Sequence, residues 1–343
     1  MKITDFRKLL TGLNQQDINK IATELYKRIP KSSKEGYDGV DYIIRSITEH
    51  QTENKNIQTV DFRSLHDEID TFLSNANEGY YLKPNRIVSK TERSRWRFAV
   101  MHFVKELQKI SNTSEDYNDS NIDLLSIYDI LSRSCGYYVF RSQDPFAAIG
   151  KTQSEYYKIL CQRIFYRDLD QNHLPTMIDN ATKIYLDRRT LHIFLIKTLI
   201  SYINTKEDIL NTITITEEKV ENARPEPSRD AWFVDESMMM YEFKDYIKNL
   251  ASLVMGLYFK LNEYEKGCQY YWNICNKFEI DVYKNREPQD RKEILFYCLL
   301  GLVNSFTDDN KIWIATYDKY KKGTEPRQDL VKKYEEIKNS LVE

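Results

Sequence analysis

The sequence predicts an all-α fold of stacked antiparallel helical hairpins, an α-solenoid-like arrangement with little or no sheet. Three observations carry the expectation. Only 10 Gly and 8 Pro occur in 343 residues, below the average usage of about 7 % and about 5 %. Both residues break helices, so few chain reversals are available and long helices fit best. Apolar residues recur at helical spacing in one stretch after another, and many of these stripes follow a side chain able to cap a helix. Strand signals are confined to TITIT at 212–216 and YYVF at 137–140, both short and adjoining helical patterns.

Taken in order, Asn14 is placed to cap a helix carrying Ile18, Ile21, Ala22, Leu25 and Ile29, which Pro30 ends. Val40, Ile43, Ile44 and Ile47 mark a second helix, and the polar, Asn-rich run 50–59 a loop or hinge. Phe62, Leu65, Ile69, Phe72 and Ala76 form the apolar face of a third, which Gly79 closes with a left-handed cap. Ser89 and Glu92 have capping-box spacing ahead of a long helix through Ile110. After a solvated loop at 111–121, Leu124, Leu125, Tyr128, Leu131 and Cys135 define the next helix. Asp144-Pro145 starts another by a cap and a fixed φ. Thr152 and Glu155 repeat the capping-box spacing before Tyr156, Leu160 and Ile164.

Asp187 stands as a cap for 191–203, which is apolar on most sides and therefore expected to be central and buried. Thr205 and Asp208 start its successor. In EEKVENARPEPSR, 217–229, Pro225 and Pro227 forbid a regular helix. The chain is accordingly divided into an N-terminal helical domain at 1–215, a linker at 216–234 and a C-terminal helical region at 235–343. That last region holds a Pro-marked loop at Pro288, a helix pair around 295–305 and 312–320, and a terminal helix.

The most informative stretch is 250–275, LASLVMGLYFKLNEYEKGCQYYWNIC. Leu250, Val254, Leu257 and Leu261 give one helix an apolar face, with Tyr258 beside them. Asn262 and Glu263 interrupt the pattern and Tyr264 restarts it. In the second helix Gly267 and Cys268 are small where two helices must approach closely. The order Tyr258, Tyr264, Gly267, Tyr271 resembles the tetratricopeptide pattern of aromatic, aromatic, small, aromatic, whose unit is about 34 residues. Met255 stands where that family prefers Gly, with Gly256 one place late, and Glu279 where it prefers Pro. The resemblance implies a helical hairpin with Tyr258, Tyr264 and Tyr271 at a partner groove. The opening segment, through DFRKLLTGLNQQDINKIATELYKRIP, resembles the N-termini of uncharacterised bacterial helical proteins, a likeness that carries no functional residues.

Composition narrows the function classes. Fifty Lys and Arg against 52 Asp and Glu leave a net charge of −2, which argues against a globally basic nucleic-acid binder. No apolar run reaches the ~18 residues of a bilayer span, and MKITDFRKLL has no apolar signal core, so neither a membrane association nor secretion is expected. The five cysteines are odd in number and lie mainly on apolar helix faces, which points to reduced, buried thiols in a cytoplasmic protein.

Chemical constellations are few. Lys83, Arg86, Lys90, Arg93, Arg95 and Arg97 are relieved only by Glu92 and flanked by Tyr80, Tyr81, Trp96 and Phe98. Arginine forks suit phosphate and carboxylate, and aromatics can stack on bases. Lys90, Arg93, Arg97 and Arg86 are thus candidate anion or nucleic-acid contacts; the alternative is a solvated helix face paired with acidic neighbours. Gly150-Lys151-Thr152 has the end of a phosphate-binding loop, but Pro145 occupies the first glycine position and a capped helix start is the simpler reading. Asp116, Asn118 and Ser120 open like a calcium loop whose later positions fail. His66 with Asp67 and Glu68 reads as a surface cluster. No catalytic residue, metal ligand set or cofactor site is assigned. The expected function is a non-enzymatic interaction or scaffold protein holding a peptide or protein partner between helical hairpins; nucleic-acid or anion binding through 83–97 is the alternative.

Overall fold

The computed structural model describes residues 13, 15–29, 61–166, 169–183, 185–226, 236–280 and 288–341. Among them are fourteen helices and no strand. The chain divides into two compact units between Val60 and Asp61. In the first, helix α1 spans Gln15–Arg28. The cap at Asn14, the stop at Pro30, the helix around Val40–Ile47 and the loop at 50–59 lie outside the described residues.

The second unit contains α2 (Phe62–Asn77), α3 (Lys90–Lys109), α4 (Tyr117–Gly136), α5 (Pro145–Ala148), α6 (Gln153–Ile164), α7 (Leu174–Thr182), α8 (His192–Tyr202) and α9 (Lys206–Asn222). It continues with α10 (Glu236–Lys260), α11 (Tyr264–Lys277), α12 (Pro288–Phe306), α13 (Asn310–Tyr320) and α14 (Gln328–Ser340). Most helices pack on those one or two places away in sequence. Helix α4 lies against α2, α3 and α6; α8 against α6, α7 and α10; α10 against α9 and α11; and α12, α13 and α14 follow in turn. The result is a solenoid-like stack of hairpins.

Local chemistry sets the helix ends. The Ser89–Glu92 and Thr152–Glu155 capping boxes are both closed, and Thr205 accepts the Asp208 N–H at 3.0 Å. Asp144 caps α5 with Pro145 in its first turn. Helix α2 ends at Gly79, φ +73°, with the Tyr80 N–H on the Asn75 carbonyl and the Gly79 N–H on that of Ala76. Those paired bonds satisfy two carbonyls left open at the helix end.

Residues 217–222 are the last turns of α9, and α8 and α9 before the Pro-containing segment pack on α10 after it. Three expectations change. Asp187 does not cap α8, which begins at His192 behind Leu191. Its carboxylate, buried, instead accepts the N–H groups of Gln153 (2.8 Å) and Arg189 (2.9 Å). Helix α8 is inside on one face only, through Leu195, Ile196, Leu199 and Ile200, while Leu191 and Phe194 are exposed. TITIT lies within α9, where Thr212 and Thr216 donate to carbonyls one turn back.

The core is aromatic as well as aliphatic. Tyr128, Tyr156 and Tyr157 are fully buried, with ring centroids 5.5 and 5.9 Å from Tyr128. The hydroxyls of Tyr156 and Tyr157 donate to the carbonyls of Leu124 (3.1 Å) and Met177 (2.7 Å), so each ring joins α6 to another helix without burying an unpaired O–H. No helix among the described residues is long and apolar enough to cross a membrane.

Candidate functional site: a cleft along helix α11

The α10–α11 hairpin positions the site. Leu253, Val254 and Leu257 are fully buried. Helix α10 then stops because Asn262 takes φ +61°, the Asn262 N–H donating to the Phe259 carbonyl and the Glu263 N–H to that of Tyr258. Asn tolerates this left-handed region better than most residues. The reversal puts Gly267 against α10, where a Cβ would lie 3.0 Å from the Met255 carbonyl oxygen and 3.1 Å from the Tyr258 Cβ. The absent side chain allows the close crossing expected at that position. Gly256 answers a different neighbour: a Cβ there would meet Ile200 of α8 and Phe306 of α12.

An open cleft of about 1140 Å³ runs along α11, with α13 on one flank and Glu217 of α9 on the other. On the α13 flank four contacts cross between the helices. Lys319 Nζ bonds Glu265 Oε1 at 2.6 Å, the Tyr320 hydroxyl donates to Gln269 Oε1 at 3.3 Å, Cys268 Sγ lies 3.8 Å from Thr316 Oγ1, and Trp272 and Tyr320 rings are 4.8 Å apart. Toward α9, Lys266 sits over the Tyr258 ring at 4.4 Å and pairs with Glu263 at 3.3 Å, and Tyr270 lies 6.4 Å from Tyr258. The lining therefore offers aromatic faces, amides and both signs of charge. Gln269, Asn273, Ile312 and Ala315 face the space without closing it.

The titratable groups are tuned by burial more than by each other. Burial, aided by Glu217, raises the Tyr270 phenol, and burial raises that of Tyr320, so both stay neutral donors. Burial raises the Glu217 carboxyl from its ordinary value despite Lys266 nearby. The hydrogen bond from Lys319 lowers Glu265. Burial pushes the Cys268 thiol up to about 11, which keeps it protonated and a poor nucleophile. This chemistry suits recognition of a mixed polar and apolar surface.

Of the three tyrosines assigned to a groove, Tyr258 and Tyr264 line the cleft. Tyr271 does not: it is fully buried. Its neighbour Tyr270 takes the cleft position instead, because one residue of helix turns a side chain by about 100°. The α13 residues Thr316, Lys319 and Tyr320 were not anticipated. Their i, i+3, i+4 spacing marks one face of a helix, but nothing in the sequence says which helix faces it.

The basic–aromatic segment is arranged differently from a stacking platform. Trp96 is 5 % exposed and stacks on Phe140 with centroids 4.1 Å apart and planes 10° apart. The Arg93 guanidinium bonds the Val88 carbonyl, and Arg97 lies over its neighbour Phe98 at 4.7 Å. Among the described residues no carboxylate pairs with Arg86, Lys90, Arg93 or Arg97, and all but the half-buried Arg93 are exposed. The phosphate-loop reading dissolves: Gly150, φ +74°, closes α5 and Thr152 opens α6. His66 is no isolated surface cluster either, since its ring reaches the buried Asp123 of α4 at 3.0 Å. That hydrogen bond is the main cause raising the His66 pKa above its usual 6.5.

No family model, no curated protein and no solved structure matches the chain.

Proposed function

We propose that the chain is a non-enzymatic interaction protein that holds a peptide or protein partner in the cleft along α11. The observation that carries the reading is the cleft itself. It is large, open and lined by tyrosines, amides and alternating charges, and its α13 wall is cross-braced by Lys319–Glu265 and Tyr320–Gln269. Aromatic side chains with polar tips give contact area at low entropic cost. The tetratricopeptide-like spacing of 250–275 supports the same use, because stacked hairpins create extended binding surfaces. A cytoplasmic setting is supported by five cysteines that are all thiols.

The test is differential capture. Ala315 and Asn273 are exposed in the cleft, so Ala315→Arg with Asn273→Arg fills it without touching the core. Partners captured by the wild-type chain should be lost from this variant while its circular dichroism and thermal midpoint stay the same. Undiminished capture by a folded variant would move the binding surface elsewhere.

A second reading, anion or nucleic-acid binding, is favoured by the exposed Arg86, Lys90 and Arg97 without carboxylate partners among the described residues. With Trp96 buried it would rest on phosphate contacts alone. Binding would then fall by about 0.7–0.9 log units per contact per log unit of salt and be lost in Lys90→Glu, Arg97→Glu.

A further inference from the structure

A second constellation lies at the junction of α2 and α4. The His66 imidazole is held from two sides. Its Nδ1 is 3.0 Å from each oxygen of Asp123, and Phe62 stacks on the ring at 5.7 Å with planes 29° apart. The other nitrogen, Nε2, faces Asp70 Oδ2 at 3.6 Å, one helical turn further along α2. Asp123 is 2 % exposed, whereas the side chains of His66 and Asp70 are 40 % and 65 % exposed. The reactive edge of the ring is therefore open to solvent and its back is fixed to a buried carboxylate.

Two features ask for a cation. Among the described residues the His66 Nδ1–H is the one hydrogen-bond donor to the buried Asp123, which can accept about four bonds, so its charge is poorly compensated where charges are costly to bury. A carboxylate on Nδ1 also fixes the neutral tautomer that leaves the lone pair on Nε2, the arrangement by which proteins orient a histidine toward a metal. The 3.6 Å between Nε2 and Asp70 Oδ2 is close to the edge of a tetrahedron around an ion lying about 2.1 Å from each. Asp67 and Asp119 add negative field nearby.

We propose that His66 and Asp70 bind a divalent transition-metal ion of the zinc class, with water completing the coordination and Asp123 acting as the positioning residue for His66. A ligand pair of imidazole and carboxylate selects such an ion over magnesium, which prefers oxygen and water alone. When the ring is protonated, binding releases the Nε2 proton to solvent, and Nε2 and Asp70 Oδ2 each take the place of a water on the hydrated ion. The site lies outside the α11 cleft and does not depend on a partner there.

The experiment is calorimetric titration of the full chain with Zn²⁺, paired with Co²⁺ absorption. One ion should bind saturably, with visible cobalt bands and no near-ultraviolet thiolate charge transfer. Asp70→Asn, at the surface, and His66→Ala should each abolish saturation, and Asp123→Asn should weaken binding about 10–100-fold, the usual loss for an outer-shell carboxylate. In nitrogen-15 spectra Zn²⁺ should shift His66 Nε2 while Nδ1–H stays protonated. No saturable binding, equal binding by His66→Ala, or thiolate charge transfer would overturn the site. Wild-type affinity in a folded Asp123→Asn would overturn the positioning role, and if that variant fails to fold, the nitrogen-15 shift decides it.

Discussion

His192 sits where α7, α8 and α10 meet. Its Nδ1–H donates to the Ala181 carbonyl at 3.0 Å, and Nε2 faces Asp245 at 3.7 Å. Burial is the largest influence and holds its pKa below the ordinary 6.5, although the Ala181 hydrogen bond and Asp245 pull the other way. The folded chain therefore keeps His192 neutral under conditions in which the unfolded chain takes up a proton. Stability from this residue is present above about pH 6.5 and is lost as pH falls through the depressed value. His66 has the opposite sign: raised by its bond to Asp123, it favours the fold at low pH and loses that contribution as pH rises. A paired comparison separates them, since His66 is common to both proteins. The urea midpoint of the wild-type chain should drop more than that of His192→Gln between about pH 7.5 and pH 5. Parallel curves would show that another group carries the acid dependence.

At the scale of the element, one device recurs. Helices α2, α5, α10 and α11 all end in a left-handed residue with two bonds back into the last turn: Gly79, Gly150, Asn262 and Glu279. Three of these four residues, two Gly and one Asn, suit the conformation. Glu279, at φ +50°, does not, because a Cβ there crowds the following carbonyl by roughly 1–2 kcal/mol. Its side chain is largely exposed and reaches Arg291 only at 3.9 Å, so little else is lost on removing it. Glu279→Gly should raise stability in chemical denaturation by about 1 kcal/mol, after the extra freedom of glycine in the unfolded chain is allowed for. A decrease would mean that the Glu279 side chain supports the turn in some other way. Gly267 shows the converse, a glycine whose value lies in the close crossing of α10 and α11 and not in its own φ.

For the whole molecule, the consequential contacts are those that α10 makes backward. It packs on α7, α8 and α9 as well as on α11. Specific bonds cross there too: Tyr246 donates to Asp179 at 2.9 Å, Asn249 to the Thr182 carbonyl at 3.0 Å, and Lys260 to the Ile200 carbonyl at 2.8 Å. The helices on either side of 227–235 thus share one interior, and splitting them would expose the apolar faces of both. Co-expressed pieces 1–226 and 227–343 should purify as a stable complex, and each alone should aggregate. Independent, well-folded pieces would place a division at the Pro-containing segment.

What the sequence by itself determined is local. Gly79, the Ser89–Glu92 and Thr152–Glu155 boxes, Thr205 and the apolar stripes place helices correctly, because caps and faces act within about four residues. The hairpin at 250–275 was legible for the same reason. The cleft was only half legible: Tyr258 and Tyr264 belong to the hairpin, but Glu265 meets Lys319 and Gln269 meets Tyr320 from far along the chain. Likewise the tertiary structure alone joins His66 to Asp123 and takes Asp187 away from its helix to bond Gln153. These pairings depend on which helix faces lie side by side. That is settled by the summed packing of non-directional apolar contacts, in which a residue's partner is set by geometry and not by its neighbours in sequence.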